Sequence, residues 1–313
     1  MANDLEILQE VMNAVVLHEY GDADQLQYEK VPVPTPGVDE ILIRVAAISL
    51  NPIDWKLRSG DLKRFMPLEL PTILGRDVAG TVEAVGADVS GFHKGDRVLG
   101  LVQHGYAEMV VSKTEDFALV PEGMNFEIAA SLPLVMLTGD QLIRQAAQVQ
   151  SGQTVLVTGA LGSVGRSAVH VALQAGCRVL AGVRAQQKAE AMALGVSDAV
   201  AIDEETDLMR LAPYDVVADT VGHDVGKRLV ALVGTGGVFA SVLGDPENAK
   251  DRSDVRFAPM MAHADPVTLA RMASEVQRGE FVIPIGRRFP LKDAALAQET
   301  AEKGGIGKVL LIP

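Results

Sequence analysis

Three glycines carry the clearest chemical signal in the chain. Gly159, Gly162 and Gly165 are spaced by threes in TVLVTGALGSVGRSAVHVALQAG, after an apolar run ending at Thr158 and before a helix-forming run. Glycines at such a junction permit a tight turn, close approach of backbone to a pyrophosphate, and close helix–strand contact. The helix start adds unpaired N–H groups and the positive end of its dipole. Ala160 stands where the strict G-x-G-x-x-G fingerprint has its first glycine, so the loop reads A-x-G-x-x-G. The expected phosphate cradle therefore runs from Gly159 to Gly165 and includes Ser163 and Val164; a tight turn without a ligand is the plainer alternative. The next apolar run, CRVLAGVRAQQKAE, bears on which dinucleotide fits. An NAD site usually closes this strand with an acid that holds the ribose hydroxyls. Here Val183 takes that place, Arg184 follows, and Lys188 comes four residues later. Two cations and no acid favour a 2′-phosphate, hence NADPH. If both cations are simply solvated at a helix start, the preference stays open.

Other reactive side chains say less. Arg76 and Asp77, in LPTILGRDVAGTVEAVG, read on their own as a local ion pair at a turn. The six histidines (His18, His93, His104, His170, His223, His263) show no paired metal-ligand spacing. His104 precedes the Gly105-Tyr106 turn, and His170 falls inside the helix after the glycine loop, where packing is its simplest role. Cys177 is the sole cysteine, which excludes an internal disulfide and any cysteine-rich zinc knuckle; it reads as a small buried hydrophobe. A net charge of −13 argues against nucleic-acid binding but leaves room for a local basic pocket. The acidic start MANDLEILQEVM lacks a basic signal region, and no run approaches the roughly 18 apolar residues of a membrane span. A soluble, cytoplasmic protein is expected.

At 313 residues, two domains are expected to position these groups. The first third reads as short strands divided by Pro and Gly (MNAVVLHEYG, EILIRVAAIS, GTVEAVG, GDRVLGLV, YAEMVVS), the pattern of a small, partly open β-barrel. Val78, Val82 and Val85, flanked by glycines, suggest a strand that bends tightly. From about Leu132, nearly all-apolar strands alternate with helices, which indicates an α/β, doubly wound parallel sheet. An amphipathic stretch, PVTLARMASEVQRGE, leads into FVIPIGRRFP and GKVLLIP, strands that resemble the first third. The expected division is residues 1–130, 131–265, and a return segment 266–313 that completes the first domain. Val221, Leu243 and Gly244 fall at strand C-terminal ends, where a doubly wound sheet binds its ligand.

The segments NPIDWKLRSG, LPTILGRDVAGTVEAVG, GFHKGDRVLG, GYAEMVV, AASLPLVMLTG, GALGSVG, LGVSDAV, DVVADTVG and GKVLLIP occur in this order along the chain. In that order they resemble the medium-chain dehydrogenase/reductase superfamily, and most closely its zinc-independent quinone oxidoreductase branch. The resemblance implies a GroES-like barrel domain and a Rossmann cofactor domain. It also implies that Arg76 replaces a histidine that binds zinc in the alcohol dehydrogenases; arginine has no lone pair to offer. The family's catalytic and structural cysteines are absent as well, so no metal is expected, and Arg76–Asp77 is expected to pair and brace the cleft. By the same resemblance Asn51 lies beside the nicotinamide, Thr138 near its ribose, and Lys56 faces the substrate as a proton source. An equally good reading makes Lys56 a surface lysine beside Trp55, with water as the acid. A tyrosine used by the enoyl reductases is missing from Asp61-Leu62-Lys63. The implied function is NADPH-dependent hydride transfer to a quinone or to the C=C of an α,β-unsaturated carbonyl. A non-catalytic NADPH-binding protein and an alcohol dehydrogenase-like enzyme are the alternatives. Relatives pair through the edge of the nucleotide sheet, and GGVFASVL is the strand expected there, in a homodimer.

Overall fold

The computed structural model describes residues 10–313. Its contacts divide the chain into two compact units: one of residues up to Pro133, Ala264–Gln277 and Pro284–Pro313, the other of Leu134–His263 and Arg278–Ile283.

The first unit begins with β1 (Val11–Leu17), β2 (Leu26–Pro32), β3 (Glu40–Ser49), α1 (Pro52–Ser59), β4 (Thr72–Ile73) and β5 (Asp77–Val85). β6 (Arg97–Leu101), β7 (Met109–Lys113), β8 (Phe117–Leu119) and α2 (Phe126–Ala130) follow. The strands form a three-stranded sheet, β2-β1-β4, and a larger barrel-like sheet. β3 pairs antiparallel with β5, and the register shifts twice along the pair, at Leu42/Ile43 and at Val45/Ala47. Each shift is a bulge that sharpens the twist and lets the sheet curl. Gly80 sits at the second bulge, where a Cβ would come within 2.1 Å of the Arg44 carbonyl. The expected bend is therefore real, and glycine permits it.

The helical segment α3 (Pro133–Gln141) continues as a π-helical turn, Leu142–Ala147. The second unit then alternates β9 (Thr154–Thr158), α4 (Ser163–Gln174), β10 (Arg178–Val183), α5 (Lys188–Met192), β11 (Asp198–Ala201) and α6 (Glu205–Arg210). It closes with β12 (Tyr214–Asp219), α7 (His223–Val230), β13 (Val233–Ser241) and β14 (Arg256–Pro259). All six strands are parallel, in the order β11-β10-β9-β12-β13-β14. That is the doubly wound order, reversing direction between β9 and β12. GGVFASVL belongs to β13, which is an inner strand covered by β14, so it is not the edge. The edge on that side is β14, a four-residue strand in which Arg256 and Pro259 leave no apolar run to stand out in the sequence.

The chain returns through α8 (Pro266–Gln277), β15 (Ile285–Pro290), α9 (Ala294–Glu302) and β16 (Lys308–Ile312). β16 pairs with β3 on one side and β15 on the other, and so completes the barrel sheet. Leu291, Ala294, Val309 and Leu311 join the buried cluster built on Val15, Ile43, Val78 and Phe117. Among the described residues no helix is long and apolar enough to cross a membrane.

Candidate functional site

In the second unit the predicted cradle forms at the C-terminal end of β9. Gly159 has φ +61°, and a Cβ on Gly165 would lie 2.1 Å from the Gly159 carbonyl, so α4 can approach the strand only with glycine there. Ala160 is fully buried, and its N–H donates to the Gly182 carbonyl at 3.2 Å. Gly162 is the N-cap of α4 and brings no side chain to satisfy the first-turn N–H groups of Ser163, Val164 and Gly165. A bare helix start behind a glycine turn fits a pyrophosphate.

One carboxylate holds three strand ends together around this cradle. Asp219, buried at the end of β12, accepts the Thr158 hydroxyl at 2.7 Å and the N–H groups of Val221 and Gly222 at 3.2 and 3.1 Å on one oxygen. Its other oxygen accepts Ser241 Oγ at 3.2 Å, and Ser241 in turn accepts the Leu243 N–H at 3.0 Å. Thus β9, β12 and β13 end at one level. The loop residues Val221, Leu243 and Gly244 lie there as predicted, with half-exposed Leu243 packed over Gly222. The sequence reading missed Asp219, although DTVG was among the segments it used. Thr138, buried in α3, donates its hydroxyl to the Leu134 carbonyl of its own helix at 2.6 Å.

The two predicted phosphate cations fare differently. Arg184 is exposed at the end of β10, and its guanidinium has no partner among the described residues. Lys188 is committed: its ammonium donates to Asp207 at 2.7 Å. Burial works to raise the Asp207 carboxyl, but the Ala201 N–H, Lys188 and Arg210 outweigh it and hold it far below the usual range. The pairing of Lys188 with a 2′-phosphate is therefore corrected, because an internal acid already neutralises it.

In the first unit a buried polar chain runs beneath α1. Asn51, in extended conformation, is the N-cap, Pro52 occupies the first turn, and Gly60 ends the helix at φ +85°. Asp54 accepts the Asn51 N–H at 2.9 Å, the return arm of a capping box. The Asn51 amide donates to Asp77 Oδ2 at 2.8 Å and to the Ser49 carbonyl at 3.2 Å, and its oxygen accepts Lys308 Nζ at 2.7 Å. Lys308 also donates to the Leu50 carbonyl at 2.9 Å and lies 3.7 Å from Asp77. From Asp54 the chain passes to the Tyr106 hydroxyl (3.0 Å), Gln298 (3.4 Å), Arg58 (2.7 Å) and Glu302 (2.9 Å).

Asn51 is fully buried, and both its amide hydrogens are spent internally. One expectation changes here: Arg76 does not pair with Asp77. The Asp77 carboxylate is held by Asn51 and Lys308 on the α1 side, while Arg76 Nε is buried without a hydrogen-bond partner and its charge is felt by Asp116. Lys56 is half-buried on α1, and its ammonium has no partner among the described residues. His104, at φ +61°, gives its Nδ1 to the Ile73 carbonyl at 2.9 Å. Cys177 is buried and its thiol is pushed up by burial, as befits an inert side chain. Burial drives the Asp54 carboxyl up to about 7, against hydrogen bonds from Asn51 and Tyr106 that favour its ionised form. Burial also lowers Lys308, with the charges of Asp77 and Asp54 opposing.

A family model described as an alcohol dehydrogenase GroES-like domain matches residues 37–127, and one described as a zinc-binding dehydrogenase matches residues 194–311. The quinone oxidoreductase of Pseudomonas aeruginosa is 32% identical over 324 residues, which cover 94% of this chain and 97% of that one. The chain belongs to the quinone oxidoreductase branch of the medium-chain dehydrogenase/reductase superfamily. It is an oxidoreductase of that superfamily, whose members bind a nicotinamide cofactor. The solved structure of the Coxiella burnetii quinone oxidoreductase is 29% identical, with a TM-score of 0.86, and covers 97% of this chain and 100% of its own. An NAD-dependent alcohol dehydrogenase is 27% identical, with a TM-score of 0.83 over 96% of this chain and 100% of that one. Zinc, however, does not fit the barrel of this superfamily member. Arg76 cannot donate a lone pair, and no three ligating side chains of the barrel unit converge among the described residues.

Proposed function

We propose that the chain is a zinc-independent, NADPH-dependent reductase of quinones and of the C=C bond of α,β-unsaturated carbonyls. The observation that carries this reading is the contrast between the two units. The glycine cradle fits a dinucleotide, whereas the barrel carries an arginine at the place where the resemblance puts a metal ligand. Polarising an alcohol for oxidation calls for a Lewis acid; adding hydride to an electron-poor carbon does not.

In this reading the N–H groups of Ser163, Val164 and Gly165 hold the pyrophosphate, Arg184 takes the 2′-phosphate, and the loops tied by Asp219 set the depth of the crevice. Bound there, the nicotinamide supplies the hydride. Lys56 supplies the proton that completes reduction of an enone, and its ammonium stabilises the developing oxyanion until then. Asn51, fixed by Asp77 and Lys308, keeps the start of α1 and therefore Lys56 in register. The reading also has two chains pairing along β14, the edge strand next to β13.

The test is direct. The purified protein is mixed with NADPH or NADH and a panel of quinones and enones, and separately with NADP+ or NAD+ and simple alcohols, and nicotinamide absorbance is followed. Oxidation of NADPH by quinones or enones is the expected result. Turnover of alcohols alone would replace the reading with a dehydrogenase, and binding without turnover would replace it with a cofactor-binding protein.

A further inference from the structure

With Lys188 bound to Asp207, one cation is left at the end of β10, but another lies against the glycine loop itself. Arg166 is on the first turn of α4, with its side chain only 17% exposed. Its Nε donates to the Leu161 carbonyl at 3.0 Å, which fixes the guanidinium beside the loop. Nη2 reaches Glu190 of α5 at 3.3 Å, and Nη1 has no hydrogen-bond partner among the described residues. Glu190 follows Lys188 by two positions, so Arg166 spans from the phosphate loop to the helix that begins just after Arg184.

Its present partner is a weak one. The Glu190 side chain is 62% exposed and offers a single long contact; ion pairs that wet contribute little. A phosphomonoester carries roughly −1.5 to −2 charges and three acceptor oxygens. It can engage a guanidinium through two parallel hydrogen bonds, the stronger arrangement. Glu190, in contrast, is a negative charge 3.3 Å from Arg166 and would repel a phosphate brought to that guanidinium.

We propose that Arg166 is a phosphate-reading residue: together with Arg184 it takes the 2′-phosphate of NADPH, and Glu190, its ion-pair partner, sets how strongly the site prefers NADPH to NADH. The proposal rests on the cofactor assigned above and names a residue and a tuning acid that the assignment did not contain. It separates cleanly from a purely structural role. An arginine that only braced the loop through Leu161 would weaken every adenine dinucleotide alike when removed, and neutralising Glu190 would do nothing for affinity.

Calorimetric titration of the full chain with 2′,5′-ADP, 5′-AMP, NADPH and NADH tests it in wild type, Arg166→Gln and Glu190→Gln. Arg166→Gln is expected to raise the Kd for 2′,5′-ADP and NADPH by about tenfold, the loss of one charge-assisted contact, with 5′-AMP and NADH within about twofold. Glu190→Gln, at an exposed position, is expected to tighten 2′,5′-ADP and NADPH by about two- to fivefold. An equal loss for all four ligands in Arg166→Gln overturns the proposal, as does unchanged or weaker 2′,5′-ADP binding in Glu190→Gln. If wild type binds 2′,5′-ADP no better than 5′-AMP, the NADPH reading itself falls and takes the proposal with it. A wild-type preference that neither variant moves sinks only the proposal.

Discussion

Replacing Asp54 with asparagine should turn the pH dependence of the barrel's stability against that of the wild type. Asp54 is fully buried, and burial raises its carboxyl from 3.8 to about 7. A raised folded-state pKa means that the native protein keeps this proton longer than the unfolded chain does. Its stabilising contribution is whole below about pH 4 and is lost as pH rises through about 7. At about 1.4 kcal/mol per unit, the full loss is about 4 kcal/mol, of which about 2.5 kcal/mol falls between pH 5 and pH 8. The substituted amide would still accept the Asn51 N–H and the Tyr106 hydroxyl through its oxygen. Its nitrogen would replace Asp54 Oδ1, which has no hydrogen-bond partner, and so bury a donor without an acceptor. That costs about 1–3 kcal/mol at every pH. The variant is therefore expected to be the weaker protein at pH 5 and to equal or exceed the wild type at pH 8. The sole tryptophan, Trp55, lies next to the substituted residue and reports on the barrel. Urea unfolding followed by its fluorescence at pH 5, 6.5 and 8 measures the difference. Stability curves that stay parallel across this range would show that Asp54 is ionised in the native protein and refute the argument.

Three further outcomes are expected. Arg184→Ala should weaken NADPH by roughly 1.5–3 kcal/mol and leave NADH nearly unchanged, whereas Lys188→Met should lower the melting temperature without altering the ratio of the two affinities; a changed ratio in Lys188→Met would restore that lysine to the cofactor. Gly165→Ala forces a methyl to within 2.1 Å of the Gly159 carbonyl, so overpacking of about 1–3 kcal/mol should appear as lost stability together with weakened cofactor binding; full affinity in a stable variant would mean that the loop has slack the structure does not show. Lys56→Met should slow enone reduction by about a hundredfold, within the usual contribution of a general acid, while quinones, whose reduced products are more easily protonated by water, suffer less; equal rates for variant and wild type on both classes would leave water as the acid.

The strand-rich first third and the βα alternation after it were legible because each rests on local periodicity. So was the cradle, where three glycines act within seven residues. What escaped depends on distance. Lys188 reads as a free cation until Asp207, nineteen residues on, is seen to claim it. The chain from Lys308 through Asn51 and Asp54 to Arg58 and Gln298 joins residues more than two hundred positions apart, and no window along the sequence spans them. Helix α1 had a local signal that went unused: Asn51, Pro52 and Asp54 are a cap, a first-turn proline and a capping-box acid in succession. Strand β14 had none, because an edge strand with Arg256 and Pro259 lacks the apolar run by which its inner neighbours are recognised.

The position of β16 has a consequence for synthesis on the ribosome. Asn51 is made 257 residues before Lys308. Until residues 308–312 emerge, β3 keeps a bare edge where β16 will pair, and the polar groups under α1 lack their lysine. The strands of the parallel sheet have all been made by Pro259. A translating chain therefore has every strand of the nucleotide sheet while its barrel sheet is still open. A message cut after codon 259 but before codon 308 yields a protein with all six parallel strands and a barrel that cannot close. Quality control that recognises unpaired strand edges then has a mark by which to remove it.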